Sequence, residues 1–312
     1  MSLFIIILIV FLNFSFQYYS SHLLNFQYEV LNLTEQYRSV PPIGQVFSAF
    51  TYENRLSHFK KIEQQRSLKL DDLELKSVNI IRFPSHLLET LYRPQKLQSS
   101  HYHIYSALLT AELVKYLVEQ IFKNHIKTDK TAKAWRIGII CPYKAQAQMV
   151  DKIIASQKVF KPKISVSCGT IHSFQGDECD IMINLFNPPL YISKSPNMFL
   201  NRRNIVNVVI SRAKDYLILL VPDKNTNKVW NLTELGRLLD IIRKDLKGDY
   251  WEKSSAEIEE LLFKQPNYLE INTFATTHQN INVYTEPEKQ FEIRVEEIAV
   301  DVQIRKDYSI DN

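Results

Sequence analysis

The chain has 312 residues, 45% of them apolar and 12% aromatic, enough to bury a substantial core in one large domain or two modest ones. Its formal charge of +4 allows a polyanionic partner but falls short of the strongly basic balance that would identify one. Three cysteines, Cys141, Cys168 and Cys179, form no CxxC pair and lack metal-ligand spacing, which argues against a disulfide framework and a metal centre. They read as core thiols of a protein kept in a reducing compartment, the cytoplasm.

The amino terminus points the other way. From Leu3 to Phe16 every residue except Asn13 and Ser15 is apolar, a length closer to a signal-peptide core than to the ~20 residues of a membrane span. No Lys or Arg precedes this run, and no small-x-small cleavage pattern follows it up to Phe26. Residues 1–26 are therefore set apart as a hydrophobic segment, with membrane association, a buried strand or helix, and a non-native stretch as the readings.

Beyond it, Tyr28, Val30 and Leu33 alternate, and Ile43, Val46, Phe47 and Phe50 share one helical face. Residues 61–100 are charged and irregular and read as a surface excursion. Between Ser106 and Phe122, Leu108, Leu109, Leu113, Tyr116, Leu117 and Ile121 recur at helical spacing. Strands are then expected at Arg136–Cys141, Ile164–Cys168, Asp180–Phe186 and Tyr216–Val221, with helices at Lys144–Ser156 and about Asn201–Ala213. Strands alternating with helices of this length imply crossover connections, a parallel sheet and an α/β fold with helices on both faces. In such sheets ligands sit at the carboxyl ends of the strands, and the unusual residues are expected there.

After Pro222 the pattern changes to helices at about Leu232–Leu246 and Ala256–Phe263. Next come two alternating runs, Phe291–Val295 and Ile298–Ile304, whose parity changes at Glu296 and Glu297 as in a hairpin. Residues 223–312 are read as an appended α+β subdomain.

Three segments carry polar residues that such a core does not explain. In Leu33–Ile43, Arg38 sits in a turn stiffened by Pro41 and Pro42; taken alone it reads as a surface arginine. In Ser165–Phe186 a buried strand breaks into a polar loop and re-enters another. There Gly176 allows close backbone approach, Ser173 and Gln175 supply hydrogen bonds, and Asp177, Glu178 and Asp180 supply carboxylates. In Asn201–Val221, Val206, Val209 and Ile210 read as core and Arg202, Arg203 and Lys214 as solvated charge, with Arg212 standing just before a strand at the sheet's working edge.

Together these segments resemble the superfamily 1 helicases, in particular the group that includes the nonsense-mediated-decay helicase. Gln36-Tyr37-Arg38 resembles the motif that opens the second RecA-like domain, and Cys141-Pro142-Tyr143-Lys144-Ala145-Gln146 resembles a strand ending in TPYxxQ. Thr170 to Glu178 resembles motif V, and Asn207 to Lys214 resembles motif VI. The resemblance covers about residues 27–222 and implies a RecA-like fold. It further implies that Arg38 and Arg212 are catalytic arginine forks on a nucleotide, and that Gln36, Tyr37, Gly176 and Glu178 bind it, with Glu178 near the ribose. Pro142, Tyr143, Gln146, Thr170, His172 and Ser173 would line a track for single-stranded DNA or RNA. Cys141 departs from the family's usual threonine, which puts one backbone contact to nucleic acid in question.

Such a motor also needs a GxxxxGK[ST] loop and an acidic pair for Mg²⁺. None of the six glycines is followed by Lys, and no apolar strand before Gln36 ends in an acidic pair. The expectation is therefore a second motor domain, acting on ATP with Mg²⁺ only when a P-loop-bearing first domain completes it. A non-catalytic nucleic-acid-binding or regulatory module, or a decayed membrane-tethered fragment, is the alternative.

Overall fold

A computed structural model describes residues 34–86, 89–129, 131–174, 177–190, 199–223, 232–275, 281–284 and 292–295. The expectations on residues 1–33, Gln175, Gly176 and 298–304 lie outside the described residues. Among those described, no helix is long and apolar enough to cross a membrane.

The core is a six-stranded sheet. In chain order its strands are β3 (Val78–Phe83), β6 (Trp135–Cys141), β7 (Ile164–Thr170), β8 (Cys179–Leu185), β9 (Ala213–Pro222) and β10 (Tyr250–Ser254). The spatial order is β10-β3-β9-β8-β6-β7, and every pairing is parallel. Alternate residues along each strand feed two separate cores, because successive side chains point to opposite faces. In β9, Tyr216, Ile218 and Leu220 join Ile137, Ile139, Ile181 and Ile183 against the helices α2 (Ile104–Ile121), α3 (Lys144–Ser156) and α6 (Ser255–Phe263). Leu217, Leu219 and Val221 join Ile140 and Met182 against α1 (Pro41–Thr51), α4 (Arg203–Ile210) and α5 (Thr233–Asp245) on the other face. Both faces are covered, as a wholly parallel sheet requires, and this is the RecA-like α/β arrangement.

Two readings of the sequence change here. The stretch 61–100 is no mere surface excursion, because it contains β3, a central strand whose Val78, Ile80, Ile81 and Phe83 are fully buried. Its polar members are accommodated individually. Asn79 donates to the carbonyls of Lys76 and Leu217, and Arg82 pairs with Glu252. The boundary drawn at 222/223 also does not divide the fold: Thr34–Asn312 forms one compact unit, and β10 pairs with β3 over five residues. A polar edge strand, Tyr-Trp-Glu-Lys-Ser, lacks the apolar alternation that would have announced it.

Outside the main sheet, β11 (Ile281–Tyr284) pairs antiparallel with β12 (Glu292–Val295). Two short ladders stand apart from the main sheet. β1 (Glu35–Gln36) runs parallel to β2 (Ser57–His58), and β4 (Gln95–Leu97) forms a tight hairpin with β5 (Ser100–Tyr102).

Candidate functional site

Only part of the candidate set lies at the carboxyl ends of the strands. The rest gathers at the opposite edge, where β8 and β9 begin. Gln36-Tyr37-Arg38 reaches that edge because the next residues are tied to β9: the Val40 amide donates to the Lys214 carbonyl at 2.9 Å, and the Ser39 hydroxyl to the Ala213 carbonyl at 2.6 Å. Pro41 and Pro42 then open α1, where a missing amide donor costs nothing.

The side chain of Gln36 is spent inside this turn. Its carbonyl accepts from the amides of Arg38 (3.1 Å) and Ser39 (2.9 Å), and its NH₂ donates to the Ser39 carbonyl and meets His58 Nδ1. Gln36 thus shapes the turn, with both ends of its amide hydrogen-bonded within it. Gly44 leaves room for this, since a Cβ there would stand 2.5 Å from the His58 ring and 2.8 Å from Gln36 Nε2. Tyr37 is 63% exposed, and its hydroxyl donates to Glu35 at 2.5 Å.

Arg38 is fixed at two points, by Glu178 (Nε to Oε2, 2.9 Å) and by the Ser211 carbonyl (Nη1, 2.9 Å). Glu178 takes a second cation, Lys214, at 2.8 Å. Partial burial pushes the Glu178 pKa up, and hydrogen bonds from Lys214 and Arg38 more than reverse this, so it titrates below the ordinary carboxylate range. Lys214 is therefore part of the site, although the sequence read it as solvated charge.

Arg212 completes the group. Its backbone carbonyl accepts from the Cys179 amide, which sets it at the start of β8 and β9. Its Nε is buried and has no partner among the described residues. Burial first, and the nearby charge of Arg38 second, lower its pKa. Asp177 and Glu178 act in the opposite sense, but Asp177 is exposed and shared with Arg136 at 3.4 Å. Two guanidinium groups and an ammonium thus converge with incomplete compensation, an environment that favours a multiply charged anion. Gly176 falls outside the described residues.

The second group sits at the carboxyl end of β6 and β7, where Cys141 and Thr170 are in register. Pro142 is buried and Tyr143 is half-buried, its ring edge-on to His101 (5.0 Å) and 6.5 Å from Phe199. Burial, with Lys96 adding to it, holds His101 neutral with a pKa near 4. Thr170 is partly exposed, and His172 and Ser173 are exposed. The Ser173 hydroxyl donates back to the Thr170 carbonyl at 2.7 Å, a turn for which Gly169 leaves space.

Gln146 is not part of this surface. It is fully buried and accepts from the His103 amide at 2.6 Å while donating to Ser106 Oγ at 3.2 Å. Position 146 lies in the first turn of α3, on the face packed against α2. There a polar side chain must be satisfied internally. Sequence reasoning missed His101 and Phe199, which stand beside Tyr143 through the placement of the β4–β5 hairpin and of the short turn Phe199–Asn201; the Leu190 amide donates to His101 Nδ1.

One connection links the groups. In sequence, residues 171–178 join the carboxyl end of β7 to the amino end of β8.

Comparisons with known proteins place these observations. A family model described as AAA domain matches residues 15–224. The replicase polyprotein 1ab of Alphamesonivirus 1 is 44% identical over 91 residues, 28% of this chain and 2% of the polyprotein. A putative helicase mov-10-B.2 of Danio rerio is 25% identical over 272 residues, 83% of this chain and 26% of that protein. The chain thus spans a small part of the curated relatives it matches. Among solved structures, the C-terminal domain of a possible DNA helicase from Lactobacillus plantarum WCFS1 is 14% identical, covering 60% of this chain and 88% of that one, with a TM-score of 0.31.

Proposed function

The chain belongs to the AAA domain family as a superfamily 1 helicase C-terminal domain, and from that premise we propose that it is the second motor domain of an ATP-dependent helicase or translocase. The amino edge of the sheet completes a nucleotide site. Phosphoryl transfer to water develops charge on the departing γ-phosphate, and arginine offers a permanent, bidentate countercharge. Arg38 and Arg212 supply it. Glu178, itself held by Lys214, and the Ser211 carbonyl keep Arg38 in place, Tyr37 faces the nucleotide beside it, and Gly176, two residues before Glu178 in sequence, carries no side chain to hinder a ligand's approach.

The observation that carries this reading is Arg212, whose buried Nε has no partner among the described residues and which lies within electrostatic reach of Arg38. Burying an unpaired guanidinium donor costs stability unless an incoming anion meets it. Mg²⁺ accompanies ATP as a phosphate counter-ion, and the described groups here are mostly cationic, so the acidic pair that would hold it belongs to a first domain bearing the GxxxxGK[ST] loop. Pro142, Tyr143, Thr170, His172 and Ser173 form part of the track for single-stranded DNA or RNA, where backbone contacts and a stacking ring suffice for sequence-tolerant binding. Closure of the two domains on ATP and reopening after hydrolysis would drive stepping.

The test is ATP turnover by this chain alone and with a P-loop-bearing domain supplied in trans. Turnover is expected only in the mixture and is expected to require Arg212. Appreciable turnover by the chain alone that is lost in Arg212→Ala would overturn the division of labour.

A further inference from the structure

Tyr37 and Phe59 are among the most exposed large apolar side chains of the described chain, at 63% and 60%, and they touch each other. Their ring centroids are 4.7 Å apart with the planes inclined by 36°. The contact is built into the backbone. Parallel pairing of β1 with β2 sets Gln36 opposite His58, and the Phe59 amide donates to the Gln36 carbonyl at 3.0 Å.

Both rings stand among anchored groups. His58 is held by Gln36 on one side of Phe59, and on the other Lys60 donates to the buried carboxylate of Asp215 at 2.5 Å. The Tyr37 hydroxyl is bound by Glu35, which raises its pKa and keeps it protonated. Two aromatic rings are thereby held in water by anchored neighbours, beside Arg38, where burial elsewhere would recover their apolar area.

We propose that Phe59 is a positioning residue for the nucleotide site: it braces Tyr37 into a two-ring platform that takes the flat base of a purine nucleotide while Arg38 takes its phosphates. This rests on the nucleotide reading above and adds a residue that no motif of the sequence contains. Consecutive Cα atoms lie only ~3.8 Å apart, so one nucleotide, with its ribose between base and phosphates, is long enough to meet both Tyr37 and Arg38. The larger π-face of a purine covers more of such a platform than a pyrimidine does.

Affinities of ATP, CTP and inorganic tripolyphosphate for the chain and for Phe59→Ala, Phe59→Tyr and Arg38→Ala separate the possibilities. Phe59→Ala is expected to weaken ATP binding about three- to tenfold and leave tripolyphosphate unchanged, with Phe59→Tyr restoring the parental value. Arg38→Ala is expected to weaken all three ligands. Equal loss of ATP and tripolyphosphate in Phe59→Ala, or no loss of ATP, overturns the role of Phe59 while leaving the nucleotide site standing. Failure of the parental chain to bind either ATP or tripolyphosphate, both alone and with a P-loop-bearing domain supplied in trans, overturns the site itself, and this inference with it. Phe59 is exposed, so the variant is expected to fold, and an unchanged melting temperature verifies it.

Discussion

At the amino edge of the sheet Arg38, Glu178, Lys214 and Arg212 interact through charge, whereas at the carboxyl edge Tyr143, His101 and Phe199 meet ring against ring, and Thr170 and Ser173 meet through a hydroxyl. The first edge keeps cations in partial excess and leaves one buried donor unpaired. The second brings rings together, with His101 uncharged at physiological pH. A short, multiply charged ligand suits the former. A long strand that must slide suits the latter, because stacking and backbone contacts are tolerant of sequence where fixed ion pairs would arrest it. On the function proposed above, one parallel sheet separates the chemistry of fuel from the chemistry of track, with residues 171–178 joining them in sequence.

This contrast can be broken from either side. The largest effect is expected from Arg212→Ala. With a P-loop-bearing domain in trans, ATP turnover should fall about 10³- to 10⁵-fold, the range of an arginine that stabilises phosphoryl transfer. Single-strand affinity, measured by fluorescence anisotropy, should stay within about twofold, and Arg212→Lys should not restore turnover, since a point charge does not replace a fork. Loss of both activities together would mean that the edges are not separate.

Trp135→Ala should remove both at once. Trp135 is buried in the core at the start of β6, with Arg66 stacked on it at 3.7 Å. Its loss should lower the unfolding free energy in denaturant by about 3–5 kcal/mol.

Tyr143→Ala is the reciprocal of the arginine change. It should weaken single-strand binding by about 1–3 kcal/mol, the cost of one stacking position, without altering nucleotide affinity.

The smallest effect concerns pH. The folded-state pKa of Glu178 lies below its unfolded value near 4.3, so its ion pairs contribute fully above that value and fade as pH falls through the lower folded one. The pair is about a third exposed, which limits the contribution to roughly 0.5–1 kcal/mol. Glu178→Gln should flatten the acid limb of the stability curve by that amount. An unchanged acid limb would show that Arg38 is held chiefly by the Ser211 carbonyl.

Most of the fold was legible where apolar runs were unbroken. β6, α3, β8 and β9 lie close to where periodicity puts them, because a strand buried on both faces writes a continuous apolar signal. β3 was hidden by its company. The charged stretch before it and the polar members Asn79 and Arg82 masked Val78, Ile80, Ile81 and Phe83, and only the partners Leu217 and Glu252, far away in sequence, make those polar residues compatible with a central strand. In the candidate site, Gln36 and Gln146 show the same limit from the opposite side. Both are polar residues in recognisable motifs, yet both turn inward to satisfy backbone groups.

Sequence alone determined the α/β class, the motif order and the residue types that can answer phosphate or base, because these depend on local periodicity and on side-chain chemistry. Which residues face one another was decided only by the tertiary structure. Arg38 meets Glu178 across 140 positions, Phe59 meets Tyr37 through the pairing of two short strands, and Arg212 stands at the amino rather than the carboxyl edge. Those outcomes rest on strand register and crossover direction, long-range properties that no window of neighbouring residues encodes.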